Sequence, residues 1–264
     1  MKRWLSLGGL LMVLIHAASG AAGGSATGFL DRTLTLDGRD HRYQVYVPSD
    51  FMPDRAWPVI LFLHGSGERG DDGLRQTQVG LPAAIRWNRE RFAAIVVMPQ
   101  LPADLTWTGD MAEMAMAALE AAVAEFRGDE DRLYLTGLSL GGYGTWLLAA
   151  EHPGKFAAIA PVCGGVVPPP GGKTSVVQLP ATVGLADPYA ETARLVGATP
   201  AWIFHGADDT VIPPSESRRM ADAMRAAGNE ARFTEFPGVG HAAWDPAYGS
   251  AELWDWMFAQ VRQR

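Results

Sequence analysis

The chain has 264 residues, with 22 Lys and Arg against 29 Asp and Glu, a formal charge of −7 and an apolar fraction of 48%. That length and apolar content suit one large core or two small ones, while the acidic balance argues against nucleic acid and anionic membrane as partners. A single cysteine, Cys163, excludes an internal disulfide.

Taken in order, the chain opens on basic Met1-Lys2-Arg3-Trp4, an apolar run from Leu5 to Ile15, and small residues from His16 to Ala21. This is the order of a secretory signal peptide, and its apolar part is too short to anchor stably in a bilayer. Cleavage is expected between Gly20 and Gly24, so residues 1–22 read as a leader and residues 23–264 as one exported domain, periplasmic or extracellular. The formal charge becomes −9 once Lys2 and Arg3 leave with the leader. With no cysteine near that point, a lipoprotein anchor is excluded as well. Oligomeric state is not readable from the sequence.

Phe29 to Val47 alternates apolar and polar residues around Asp37-Gly38, which predicts a hairpin. Val59 to Leu63, Ala93 to Met98, Leu133 to Leu135, Phe156 to Ala160 and Ala201 to Phe204 are unbroken apolar runs. Such runs indicate strands covered on both faces, as in a parallel sheet. A last strand, Ala231 to Phe236, alternates more. Helices are expected at Met111 to Phe126, Leu140 to Glu151, Ser215 to Ala227 with Ser215 as its N-cap, and Glu252 to Val261. Strand followed by helix, repeated, predicts a mostly parallel sheet with an N-terminal antiparallel hairpin and helices on both faces. Gly164 to Thr199, with Pro168-Pro169-Pro170-Gly171-Gly172, breaks the rhythm and is expected to be a lid-like excursion over the pocket. Cys163, at the end of a buried strand with no base arranged for it, reads as core.

Gly137-Leu138-Ser139-Leu140-Gly141 lies between a strand and a helix, the context that turns a G-x-S-x-G pentapeptide into a nucleophile elbow. A serine hydroxyl needs an imidazole to take its proton and a carboxylate to orient that imidazole. Of the six histidines, His16 is in the leader, His41 and His64 precede the serine, and His152 ends the helix after it. His205 closes a strand ahead of the candidate acid. His241, in the glycine-rich Pro237 to His241 loop, is the expected base. The acid is expected just past the strand ending at Phe204, where Asp208 and Asp209 stand side by side; similarity to the H-G-x-x-D form common in serine hydrolases of this kind favours Asp209, with Asp208 second and Asp187 a distant third. The oxyanion donors are expected to be the amides of Leu140 and Ser66, with His64 bracing the second turn. No H-E-x-x-H, paired cysteines or Walker-type glycine loop appears, so neither a metal nor another cofactor is expected.

The segments Leu63 to Gly70, Gly137 to Trp146, Phe204 to Pro213 and Gly240 to Asp245 together resemble the secreted carboxylesterase and predicted-peptidase branch of the α/β hydrolases. That branch lies near feruloyl esterases, polyhydroxyalkanoate depolymerases and dienelactone hydrolases, and the resemblance spans roughly Leu34 to Gln260. It implies a serine ester hydrolase acting on a small-molecule or polymer-borne ester through an acyl-enzyme. By the same resemblance Gln100, Trp107 and Trp244 would line the substrate pocket. The chain departs from the pattern in its proline-rich excursion and at Thr210, where a second acid is common. A small serine peptidase and a non-catalytic binding protein of the same fold are the competing expectations.

Overall fold

The computed structural model describes residues 14–15, 26–168 and 178–262. Apart from a two-residue strand, β1 (Leu14–Ile15), the expected leader lies outside the described residues. β1 pairs antiparallel with β2 (Gly28–Leu36), which pairs antiparallel with β3 (Arg39–Val47). Asp37 and Gly38 between them both take positive φ, 48° and 75°, the backbone that a two-residue hairpin turn demands.

The remaining strands are β4 (Trp57–Leu63), β5 (Ile95–Pro99), β6 (Gly128–Leu138), β7 (Ala158–Val162), β8 (Ala201–Gly206) and β9 (Ala231–Phe236). The sheet order is β1-β2-β3-β5-β4-β6-β7-β8-β9, parallel from β5 to β9. Their apolar runs are continuous because both faces are covered. Val59, Leu61 and Leu63 of β4 join one core cluster, while Ile60 and Phe62 join the other. The first cluster is closed by α2 (Asp110–Glu125), α3 (Leu140–Glu151), α4 (Pro188–Val196) and α5 (Ser215–Ala226); the second by α1 (Leu81–Trp87), α6 (Trp244–Gly249) and α7 (Ala251–Ala259).

Several expectations need correction. The strand expected to end at Ala160 runs to Val162 through Pro161. Ile159 and Cys163 donate to the Pro200 and Phe204 carbonyls on the β8 side, so proline's missing N–H costs only the bond between those two. Ser215 starts α5 but makes no side-chain cap; the cap position is Pro214. The segment 164–199 is not one excursion. Residues 188–196 form α4, whose Tyr189, Ala193 and Val196 enter the core as an ordinary crossover between β7 and β8, while residues 169–177 lie outside the described residues. Helices α1 and α6 escape the sequence pattern because each is short and holds a proline in its first turns.

The chain leaves β4 for β5 on one side and returns to β6 on the other. The carboxyl ends of β4 and β6 therefore flank a topological switch point, where open parallel sheets form their ligand crevices.

Candidate active site

Ser139 stands directly after β6, at φ 53° and ψ −114°, a backbone state that costs on the order of 1–3 kcal/mol for a non-glycine residue. The turn is held by its neighbours. Ser139 N–H donates to the Val162 carbonyl on β7 at 2.9 Å, and the amides of Gly142 and Tyr143 return to the Ser139 carbonyl. A Cβ on Gly141 would sit 1.9 Å from the Leu63 carbonyl oxygen, so only glycine lets α3 start this close to β4.

The acid and base come from the turns after β8 and β9, with β7 between them and the elbow strand. Beyond β8, the amides of Ala207 and Asp208 donate to the Phe236 and Val239 carbonyls, which ties the acid turn to the loop after β9. At Gly206 a Cβ would meet the Gly240 carbonyl oxygen at 2.1 Å, so the two loops touch backbone to backbone there. Together they bring His241 over the elbow: its Nε2 lies 2.9 Å from Ser139 Oγ, and its Nδ1 lies 2.7 Å from Asp209 Oδ2. The alternatives for the acid separate cleanly. Asp208 is exposed, and Asp187 caps α4 by accepting the amides of Tyr189 and Ala190.

Asp209 is buried, and its donors are numerous. Oδ1 accepts the amides of Val211 and Ile212 at 2.8 and 3.0 Å, while Oδ2 lies 3.1 Å from His205 Nε2 as well as against His241. Burial works against ionisation, but the hydrogen bonds from His205, His241 and the Ile212 amide outweigh it and hold the carboxyl well below the usual carboxylate range. Two acceptors face His205 Nε2, the Asp209 carboxylate and the Ile212 carbonyl at 3.0 Å, so that nitrogen carries a proton; Nδ1 meets Ser217 Oγ at 2.7 Å. The sequence reading missed this second histidine on the acid. The H-G-x-x-D spacing was the signal, since it places both residues at one strand end.

The loop after β4 closes the other side of the elbow. Gly65 packs on Ser139, its Cβ position lying 3.6 Å from Ser139 Cβ, and Ser66 follows it, exposed. His64 is wholly buried. Its Nδ1–H donates to the Gly65 carbonyl at 2.6 Å and its Nε2 accepts the Leu101 amide at 2.9 Å, so it braces the loop as expected. Burial pulls its pKa down to about 4. Glu68, on the same loop, keeps Oε2 buried without a hydrogen-bond partner among the described residues, and burial raises its pKa.

The three residues expected at the pocket sit in different surroundings, Trp107 beside Leu140 in the lining of a small cavity. Gln100 is buried, with Nε2 donating to the Glu68 carbonyl and Asp72 and Oε1 accepting the Gly73 amide. Trp107 is buried too, its Nε1–H on the His64 carbonyl at 3.0 Å. Both spend polar groups holding the 64–73 loop. Trp244 is half-buried and stands edge-on to His241 with ring centroids 5.5 Å apart. Cys163 is fully buried, as expected of a core residue. Among the described residues no cluster of metal-ligating side chains occurs.

A switch-point elbow on a sheet of this order, with an acid and a histidine on the turns after β8 and β9, defines the α/β hydrolases. Within that class the chain belongs to the dienelactone hydrolase family, whose model matches residues 98–251. It is 28% identical to a poly(3-hydroxyoctanoate) depolymerase of Pseudomonas fluorescens over 76% of this chain and 74% of that protein. A putative carboxymethylenebutenolidase of Salmonella typhimurium is 34% identical over 48% of this chain and 44% of its own length. A thermostable esterase of known structure superposes with a TM-score of 0.74 at 29% identity, covering 89% of this chain and 63% of that one. The chain thus spans less than two thirds of the length of two of these relatives.

Proposed function

We propose that the protein is an exported serine esterase that works through Ser139, His241 and Asp209. The observation that carries this reading is the unbroken line of hydrogen bonds from Ser139 Oγ through both ring nitrogens of His241 to a buried carboxylate held ionised. Ser139 Oγ attacks the ester carbonyl carbon while its proton passes to His241 Nε2, and Asp209 stabilises the imidazolium. The amides of Ser66 and Leu140 receive the developing oxyanion; Leu140 opens α3, so its N–H belongs to the helix turn whose donors lack partners within the helix. Collapse returns the proton to the leaving alcohol. Water, deprotonated by His241, then releases the acyl group from Ser139.

The substrate is a small-molecule or polymer-borne carboxylic ester. The depolymerase and esterase names of the relatives support the ester class and reach no further. Export rests on the basic, apolar and small-residue order of residues 1–22. The test is turnover of p-nitrophenyl butyrate by wild type and Ser139→Ala, where a loss of about four orders of magnitude or more is expected. Full turnover by the variant would overturn the reading. Export is tested separately: the intact mass of protein recovered outside the cytoplasm should begin near residue 23.

A further inference from the structure

Glu68 closes the short turn that begins at Ser66, and its carboxyl folds back on the elbow. A Cβ on Gly65 would lie 3.0 Å from Glu68 Oε2 and 3.6 Å from Ser139 Cβ, so only a glycine stands between that carboxyl and Ser139. Asp209 has donors on both of its oxygens. Glu68 Oε2 is buried with none among the described residues. Burial holds the Glu68 carboxyl above the usual carboxylate range, against the pull of the Gly65 and Glu68 amides. Arg69, next in the chain, turns its charge towards Asp104 instead.

The surroundings have the same sign. Parallel strands β4 to β9 send the turns at their carboxyl ends to the edge that holds Ser139. Asp71, Asp104, Asp187 and Asp208 are exposed in those turns. Among the described residues the bases there are Arg69 and Arg75, the second already paired with Asp72 at 3.3 Å. In the turns at the opposite edge, Arg55, Arg89, Arg91, Arg127 and Lys155 outnumber the acids.

We propose that Glu68 sets the charge preference of the site, and that the protein favours esters carrying an ammonium group near the carbonyl. The proposal rests on the esterase reading above and deepens it. A carboxylate oxygen left without a donor attracts a cation through a few ångströms of protein more strongly than it would through water. It also opposes the negative charge that develops on the carbonyl oxygen as Ser139 attacks. A cationic substituent on the ester offsets that opposition, so the preference enters kcat as well as KM. An anionic substituent adds to it. The acidic edge acts at longer range, raising the encounter rate with cations in a way that salt weakens.

The test compares esters of equal shape at about pH 8, above the titration of carboxylates. Butyrylcholine against 3,3-dimethylbutyl butyrate places the cation on the alcohol. Methyl 4-trimethylammoniobutyrate against methyl 5,5-dimethylhexanoate places it on the acyl group. In at least one pair the cationic ester should have the higher kcat/KM, by about tenfold, and added salt should lessen the difference. Glu68→Gln should raise kcat/KM for the neutral ester and lower it for the cationic one, bringing the ratio towards one. Glu68→Asp keeps the charge and should keep the preference. A residue that only packs would lower both members of a pair together. No preference for either cation, or a ratio that Glu68→Gln leaves unchanged, overturns the proposal. Turnover of p-nitrophenyl butyrate with both cationic esters lagging their neutral partners sinks the proposal and leaves the esterase reading standing. With no ester turned over, both fall.

Discussion

Asp209 is the residue on which the site's electrostatics converge, because a buried carboxylate stays ionised only if donors replace its lost water. His205 supplies one of them from a fully buried position. Replacing it with Phe removes that donor and strands Ser217 Oγ, at an expected cost of roughly 2–3 kcal/mol in urea unfolding. kcat should fall while KM holds, and His205→Gln, which keeps a donor, should recover part of both losses. His64 makes a different demand. It is held neutral in the folded chain with its pKa near 4, whereas in the unfolded chain it titrates near ~6.5. Below ~pH 6.5 only the unfolded chain takes up that proton, so stability falls as pH drops towards 4, by ~3 kcal/mol in all. Urea midpoints measured across this window should show the loss, and His64→Gln should flatten it.

At the scale of elements, the site is made by close approach. The start of α3 lies against the last residue of β4 because Gly141 has no side chain to hold them apart. Gly141→Ala puts a methyl 1.9 Å from a carbonyl oxygen, and backbone cannot yield as a side chain can. The expected result is a destabilisation of about 3 kcal/mol or more with loss of esterase turnover, read from thermal unfolding and p-nitrophenyl butyrate hydrolysis. Other contacts steady the segment after β7. Glu216 of α5 accepts the amides of Val166 and Val167 and the hydroxyl of Tyr189, binding α4, α5 and the post-β7 loop into one buried polar knot. That knot is why the chain from Gly164 onward begins as fixed structure rather than as a free lid.

Across the whole molecule, one sheet serves two cores. Each strand from β4 to β8 sends alternate residues into both clusters, so neither layer of helices can be lost without exposing the sheet that supports the other. Unfolding should therefore be a single cooperative transition, with calorimetric and van't Hoff enthalpies equal in a scan of the chain from residue 23; two resolved transitions would contradict this. The same architecture explains why the catalytic groups lie so far apart in sequence. Parallel strands point their carboxyl ends to one side, and the turns after β6, β8 and β9 at that edge deliver Ser139, Asp209 and His241 to one place.

Much of this was legible in the residues themselves. Unbroken apolar runs marked strands covered on both faces, Asp37-Gly38 marked the hairpin, and a serine between Gly137 and Gly141 marked the elbow, because each follows from local chain geometry. Asp209 was favoured over Asp208 only by analogy with the H-G-x-x-D form of similar enzymes; in the folded chain Asp209 is buried and Asp208 exposed. What the sequence could not decide was where long side chains spend their polar groups. Gln100 and Trp107 face inward to hold the 64–73 loop, His205 leans on Asp209, and Trp244 and Trp87 share a groove though α1 and α6 are far apart in the chain. Periodicity reports which face of an element is apolar. Which partner lies across that face depends on contacts between segments remote in sequence, and only the folded sheet brings those together.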